Sequence, residues 1–226
     1  MKIKIFSLAA MLIVSTSANA ATISFTGTLG FIEEDNGSSI YSGLSIGDPL
    51  NGGFIIGDSS SDASSIDIIA PTATGYNFTG APYGGAITDG SIVTVAADSY
   101  VGVGDNDGIG DDTFFLNNLY VPDIPYDTVS DTWDVSSDNG TQSFGIILYS
   151  LDTGAFTGLD YQVLPYALEQ ADYAVFYIED KDVTGATTYL ATGYLTSVTV
   201  VPVPAAIWLF SSGIIGLIGV ARRKKS

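Results

Sequence analysis

The residues in this chain whose types and spacing suit chemistry are carboxylates, because the common alternatives are missing. Its 226 residues include no histidine and no cysteine. Imidazole bases, thiolate nucleophiles, histidine or cysteine metal ligands and disulfides are therefore excluded. The densest acidic stretch is Gly104–Asp112, GDNDGIGDD. Asp105, Asp107, Asp111 and Asp112, with the carbonyl of Asn106, offer hard oxygen ligands in a glycine-rich loop, and calcium takes roughly six to eight such oxygens. The spacing is not that of an EF-hand. With Asp105 in first place, Ile109 takes the fifth position and Leu116 the twelfth, where a bidentate Glu belongs. The same composition also suits a solvated hairpin turn between strands at 100–103 and 113–116. Calcium is the one candidate ion, and no other cofactor is expected.

The remaining acidic groups point less clearly to a site. Glu33-Glu34-Asp35 and Glu179–Asp182 (EDKD) read as hairpin tips. Asp123, Asp127, Asp131 and Asp134 are spread through a proline-containing loop with Tyr126 and Trp133. A glycosidase needs two carboxylates at a set separation, and an acidic chain supplies many chance pairs. Tyr83, Tyr126, Trp133, Tyr149, Tyr161 and Tyr166 offer faces for sugar rings, yet core and edge packing of a sandwich explains most of them more cheaply. No serine has a partner base, since histidine is absent and Lys181 stands alone. No phosphate-binding glycine loop precedes a helix. The chain therefore reads as non-enzymatic.

The elements that must position these groups are short strands. Apolar runs rich in β-branched and aromatic residues occur at Ala21–Leu29, Gly53–Ile56, Ser91–Ala96, Thr113–Leu119, Ser143–Tyr149, Tyr173–Glu179 and Tyr194–Val201. Several alternate with period two: Ile23, Phe25 and Leu29 share a register, as do Tyr173, Val175 and Tyr177. Turn residues separate the runs at Asp35-Asn36-Gly37, Gly57-Asp58, Thr88-Asp89-Gly90, Asp138-Asn139-Gly140 and Asp152-Thr153-Gly154. The Ser/Asp-rich stretch Asp58–Ser65 reads as a mobile loop, and the one helical piece between the chain ends is expected at Pro165–Asp172. The expected fold is all-β: one antiparallel β-sandwich, jelly-roll-like, with an N-terminal signal helix and a single C-terminal transmembrane helix.

Both ends read as targeting segments. Lys2 and Lys4 precede an apolar stretch, Ile5–Val14, and Ala18-Asn19-Ala20 fits the small-residue rule for signal peptidase, with the cut between Ala20 and Ala21. Residues 1–20 are then a signal peptide and 21–199 the exported body. The body holds all 25 acidic residues and one basic residue, Lys181, so its formal charge is 1 − 25 = −24. Such a surface repels nucleic acid and anionic lipid. The stretch 201–226 has three parts in order: the prolines Pro202 and Pro204, an uncharged run Ala205–Ala221, and the cations Arg222, Arg223, Lys224 and Lys225. The prolines keep the chain extended before any helix begins. A helix over 205–221 is about 25 Å long, the short end of what spans a bilayer core, and the cations hold its end in the cytoplasm.

This stretch resembles the PEP-CTERM sorting signal of Gram-negative bacteria, in its VPLPA-type variant. The matching residues are Val201, Pro202, Pro204, Ala205, Ala206, Trp208, Leu209 and Phe210, then Ser212-Gly213, Gly216, Gly219 and Ala221–Lys225. Val203 departs from the pattern, standing where the name-giving family has Glu and the variant often has Leu. More loosely, Phe25–Thr28, Gly47–Phe54 and Gly193–Val198 resemble elements of the ectodomains that precede such signals. The resemblance implies export, anchoring in the inner membrane by the tail, processing by an exosortase, and then a place at the cell surface or among extracellular polysaccharide. The alternative reading is a calcium-dependent glycan-binding module displayed at the surface.

Overall fold

The computed structural model describes residues 20–70, 73–90, 93–108, 129–152, 160–161 and 171–202. Eleven strands carry most of them: β1 (Ala20–Asp35), β2 (Pro49–Gly57), β3 (Ser65–Ala70), β4 (Ala73–Thr79), β5 (Gly84–Thr88), β6 (Val93–Ala96), β7 (Asp98–Gly108), β8 (Val129–Asp138), β9 (Gln142–Ser150), β10 (Tyr173–Lys181) and β11 (Thr187–Pro202). Among the described residues the helical content is one 3-10 turn, Ser60–Asp62. The strands form a single sheet in the order β3-β4-β7-β8-β9-β10-β11-β1-β2-β5-β6. Every pairing in it is antiparallel.

The expected period-two registers hold. On β1, Ile23, Phe25 and Leu29 are buried while Ser24 between them is exposed. On β10 the alternation is hidden because both faces are covered. Phe176 and Ile178 enter the main core. Val175 and Tyr177 join Ile147, Tyr149 and Leu190 in a second, smaller cluster on the opposite face, with Tyr173 packed against it. A strand buried on both sides reads as a continuous apolar run, as in FGIILY and YAVFYI.

Strands far apart in the sheet order also meet. Phe54 of β2 stacks on Phe144 of β9 with ring centroids 5.7 Å apart. Ser99 Oγ of β7 donates to the Ile55 carbonyl of β2 at 3.1 Å. At one sheet edge, Asn139 Nδ2 from the β8–β9 turn donates to the Val95 carbonyl of β6 at 3.2 Å. At the other edge, Ile66 and Ile68 of β3 are exposed, with Asp67 between them as the charge that discourages edge-to-edge pairing.

Three local expectations are corrected. The segment 58–65 is not a loop throughout, because it holds the 3-10 turn and the first residue of β3. Asp131, Trp133 and Asp134 lie in β8 rather than a loop, with Trp133 wholly buried. The carboxylates of this DTWDV stretch disguise an alternation in which Trp133 and Val135 face the core. Neither acidic group expected as a hairpin tip is one: Glu33, Glu34 and Asp35 belong to β1, and Glu179, Asp180 and Lys181 to β10, whose turn begins at Asp182. The strand expected at 113–119, most of the helical piece at 165–172, the signal helix and the tail helix lie outside the described residues.

Candidate functional site

The first and last described strands, next to the stretches expected to be targeting segments, are neighbours in the sheet. β1 pairs with β11 so that Ala21 lies opposite Pro202 and Thr22 opposite Val201. The other side of β1 pairs with β2, placing Ala20 opposite Gly57 and Ala21 opposite Ile56. Ala20 and Ala21 are only 2% and 3% exposed. Small residues at this point fit the tight packing of a central strand. Proline suits the last position of β11, where no N–H has to be donated onward. Ala18 and the remaining residues of the expected sorting signal, Pro204, Ala205, Ala206, Trp208, Leu209, Phe210 and Arg222 to Lys225, lie outside the described residues. Among the described residues no helix is long and apolar enough to cross a membrane.

The proposed calcium ligands are only partly described. The backbone of Asp105 and Asp107 continues β7, which runs to Gly108. This overturns the expectation of a tight turn starting at Gly104. The register against β8 shifts between Gly104 and Asp107, the mark of a bulge, before Asp107 pairs with Ser130. Asp111 and Asp112 lie outside the described residues. Among the described residues no three acidic side chains gather as a metal-binding group. Asp123, Asp127 and Tyr126, from the scattered acidic set, are also outside.

The aromatic residues divide by role. Trp133 and Tyr149 are fully buried in the fold. Tyr161 meets Tyr76 edge-on at 5.1 Å and Phe78 at 5.6 Å, and Phe78 also meets Tyr83 at 5.3 Å. The Tyr161 hydroxyl donates to the Gly57 carbonyl. Beside this cluster sits a carboxyl pair that sequence reasoning missed, Asp58 and Asp62. Ser59 N and Ser59 Oγ donate to Asp62 Oδ2 at 3.2 and 3.1 Å, which turns the chain tightly after β2. Burial, then a hydrogen bond and the like charge of Asp62, push the Asp58 carboxyl above the usual range. Burial first, and the charges of Asp58 and Asp62 next, push the Tyr161 hydroxyl up strongly. Tyr83 is raised by burial and the same two carboxylates. The arrangement sets a carboxyl pair beside an aromatic wall. Its sequence trace was the Ser-x-x-Asp spacing of Ser59 and Asp62, the signature of a capped turn.

No protein-family model, no curated protein and no solved structure matches the chain.

Proposed function

We propose that the protein is an exported, non-enzymatic surface or matrix component, delivered through its C-terminal stretch and processed there by an exosortase. Signal peptidase removes the leader, and the tail helix anchors the chain in the inner membrane before processing. The body then stands at the cell surface or among extracellular polysaccharide, as a sheet folded over into a jelly-roll-like sandwich. One observation carries this reading. A proline pair, an uncharged run of membrane-spanning length and four adjacent cations follow one another at residues 202–225, and a leader-like segment occupies the other end. The body's acidity supports it as well, since a formal −24 keeps an exported domain soluble and away from nucleic acid.

The test compares wild type with a variant carrying Arg222→Ala, Arg223→Ala, Lys224→Ala and Lys225→Ala in the native host. Wild type is expected to lose its tail on maturation, and the variant to keep it and be mislocalised. A mature wild-type protein with the tail intact would reduce the role of this stretch to plain anchoring.

The bulge at Gly104–Asp107 favours the second reading, a calcium-dependent glycan-binding module, because bulges re-aim neighbouring residues at sites. Calcium titration of residues 21–199 should then raise the melting temperature. Absence of any shift at about millimolar calcium, the range of extracellular sites, removes the calcium form of that reading.

A further inference from the structure

The same triplet, Asp-Asn-Gly, stands at two turns: Asp35-Asn36-Gly37 at the end of β1 and Asp138-Asn139-Gly140 between β8 and β9. Both asparagines are exposed and both glycines take a positive φ. In each triplet the aspartate Oδ1 accepts from the glycine N–H, at 2.9 Å from Gly37 and 2.5 Å from Gly140. The triplets differ in how the asparagine amide is held. Asn139 Oδ1 accepts from Thr141 N, Thr141 Oγ1 and Gln142 N, and Asn139 Nδ2 donates to the Val95 carbonyl and to Gln142 Oε1, five bonds in all. Asn36 Oδ1 accepts from Ser38 N at 3.0 Å and Ser38 Oγ at 2.6 Å, and Asn36 Nδ2 has no partner among the described residues. A third Asn-Gly pair, Asn51-Gly52, lies inside β2, with Gly52 between Phe25 of β1 and Ile87 of β5.

We propose that Asn36-Gly37 is a self-modifying site, where the folded protein converts its own asparagine through a cyclic imide while Asn139 and Asn51 are preserved. The Gly37 nitrogen attacks Cγ of Asn36. A new N–Cγ bond forms, and the Cγ–Nδ2 bond breaks. The proton on the attacking nitrogen passes to Asp35 Oδ1, which already accepts it in a hydrogen bond, and leaves with Nδ2 as ammonia. The Ser38 N–H and Oγ–H are aimed at Asn36 Oδ1, the atom on which negative charge develops. Ser42 Oγ donates to Asp35 Oδ1 at 2.6 Å and keeps that carboxylate in place. Water then opens the imide at one of its two carbonyls. One opening leaves an aspartate, and the other an isoaspartate whose main chain runs through Cβ. No enzyme, metal or further reactant is required.

Ring closure requires the side-chain carbon to swing onto the next nitrogen. Asn36 can make this movement together with Ser38, because no side-chain bond ties its amide to another strand. At Asn139 five bonds resist it, one of them to β6. At Asn51 the Gly52 nitrogen cannot turn without disturbing the ladders to β1 and β5. The product at Asn36 has a consequence for the fold. Asn36 starts the loop 36–48, whose Tyr41 and Leu44 are buried in the core, and Asn36 N donates to the Thr188 carbonyl of β11 at 3.1 Å. An isoaspartate inserts a carbon into the main chain at the root of this loop and places a new charge beside Asp35. The modified protein therefore holds the loop less firmly and melts at a lower temperature.

Peptide mapping by mass spectrometry tests this on the full-length protein held in mildly alkaline buffer, with heavy-oxygen water marking each imide that opens. In the native state Asn36 is expected to convert at least about tenfold faster than Asn139, whose amide must give up more hydrogen bonds. The product should be a mixture of aspartate and isoaspartate carrying heavy oxygen. In urea the two triplets, identical in sequence, should react at similar rates, which assigns the native difference to the fold. A native Asn36 that reacts no faster than Asn139, or that converts without forming isoaspartate, would overturn the site. This comparison uses the wild-type chain alone and does not depend on any variant folding. Asp35→Asn removes the proton acceptor and should slow conversion of Asn36 at least about tenfold, with continued protection of Asn139 reporting that the fold is kept. An unchanged rate in that variant ends the role of Asp35. Finally, the isoaspartate-enriched form, separated by ion exchange, should melt below the unmodified protein; equal melting temperatures would sink the effect on the loop.

Discussion

The hydroxyl of Tyr189 is buried with no hydrogen-bond partner among the described residues. Its ring packs on that of Tyr41 at 5.7 Å, and the Tyr41 hydroxyl pairs with Thr94. An unpaired buried hydroxyl costs its desolvation, whereas a paired one contributes about 1 kcal/mol. Tyr189→Phe should therefore be neutral or stabilising, and Tyr41→Phe should cost about 1 kcal/mol, both read from urea midpoints at constant slope. Burial raises each phenol to about 12. A raised folded-state value stabilises the fold below the unfolded-state value of about 10 and is lost as pH climbs toward about 12. The urea midpoint should fall across that window, and less steeply in Tyr41→Phe. The same sign applies to Asp58, whose carboxyl is raised by burial and then by Asp62. Stability from this group is full below the unfolded carboxyl value and is lost as pH rises through the raised one. Asp58→Asn should raise the melting temperature at neutral pH, and the gap should close in acid.

At the scale of elements, close approach of strands depends on glycines placed under aromatic rings. A Cβ at Gly27 of β1 would sit 2.5 Å from the Phe176 ring and 2.8 Å from the Tyr194 carbonyl. At Gly145 of β9 it would come 2.6 Å from the Tyr177 ring. Gly27→Ala should destabilise by about 1–3 kcal/mol through overpacking. Gly43→Ala, where a Cβ meets nothing within 4 Å, should change stability by less than about 0.5 kcal/mol. Thermal melts of the two variants make the comparison. The turns rest on short polar side chains: Asn139 Oδ1 accepts from Thr141 N and Gln142 N at 3.2 and 2.8 Å, and Asp182 Oδ1 accepts from Thr184 N and Ala186 N at 2.7 and 3.1 Å. These groups close the β8–β9 and β10–β11 hairpins and set their registers.

The whole molecule must hold together against its own charge. Among the described residues the one ion pair joins Lys181 to Glu179 at 3.0 Å, partly exposed, and such pairs contribute at most about 1 kcal/mol. The remaining carboxylates repel one another across the surface. Raising ionic strength from about 0.01 M to about 0.5 M shortens the screening length several-fold and should raise the melting temperature of the body. A melting temperature that fell with added sodium chloride would contradict net repulsion as the dominant surface term.

The sequence by itself determined the all-β class, the inward register of Ile23, Phe25 and Leu29, and the turns at Asp138–Gly140 and Thr88–Gly90, where Gly140 and Gly90 take positive φ. It also displayed the stretches that read as leader and tail. These features are local, set by side-chain alternation and turn chemistry within a few residues. The tertiary structure decided what lies beside what. It put β1 next to β11, with Thr26 and Ser197 hydrogen-bonded across 171 positions of chain. It buried both faces of β10, made a core residue of Trp133, and set Asp58 and Asp62 together beside Tyr161. Such neighbours are chosen by burial summed over the whole sheet, which no short stretch of sequence contains.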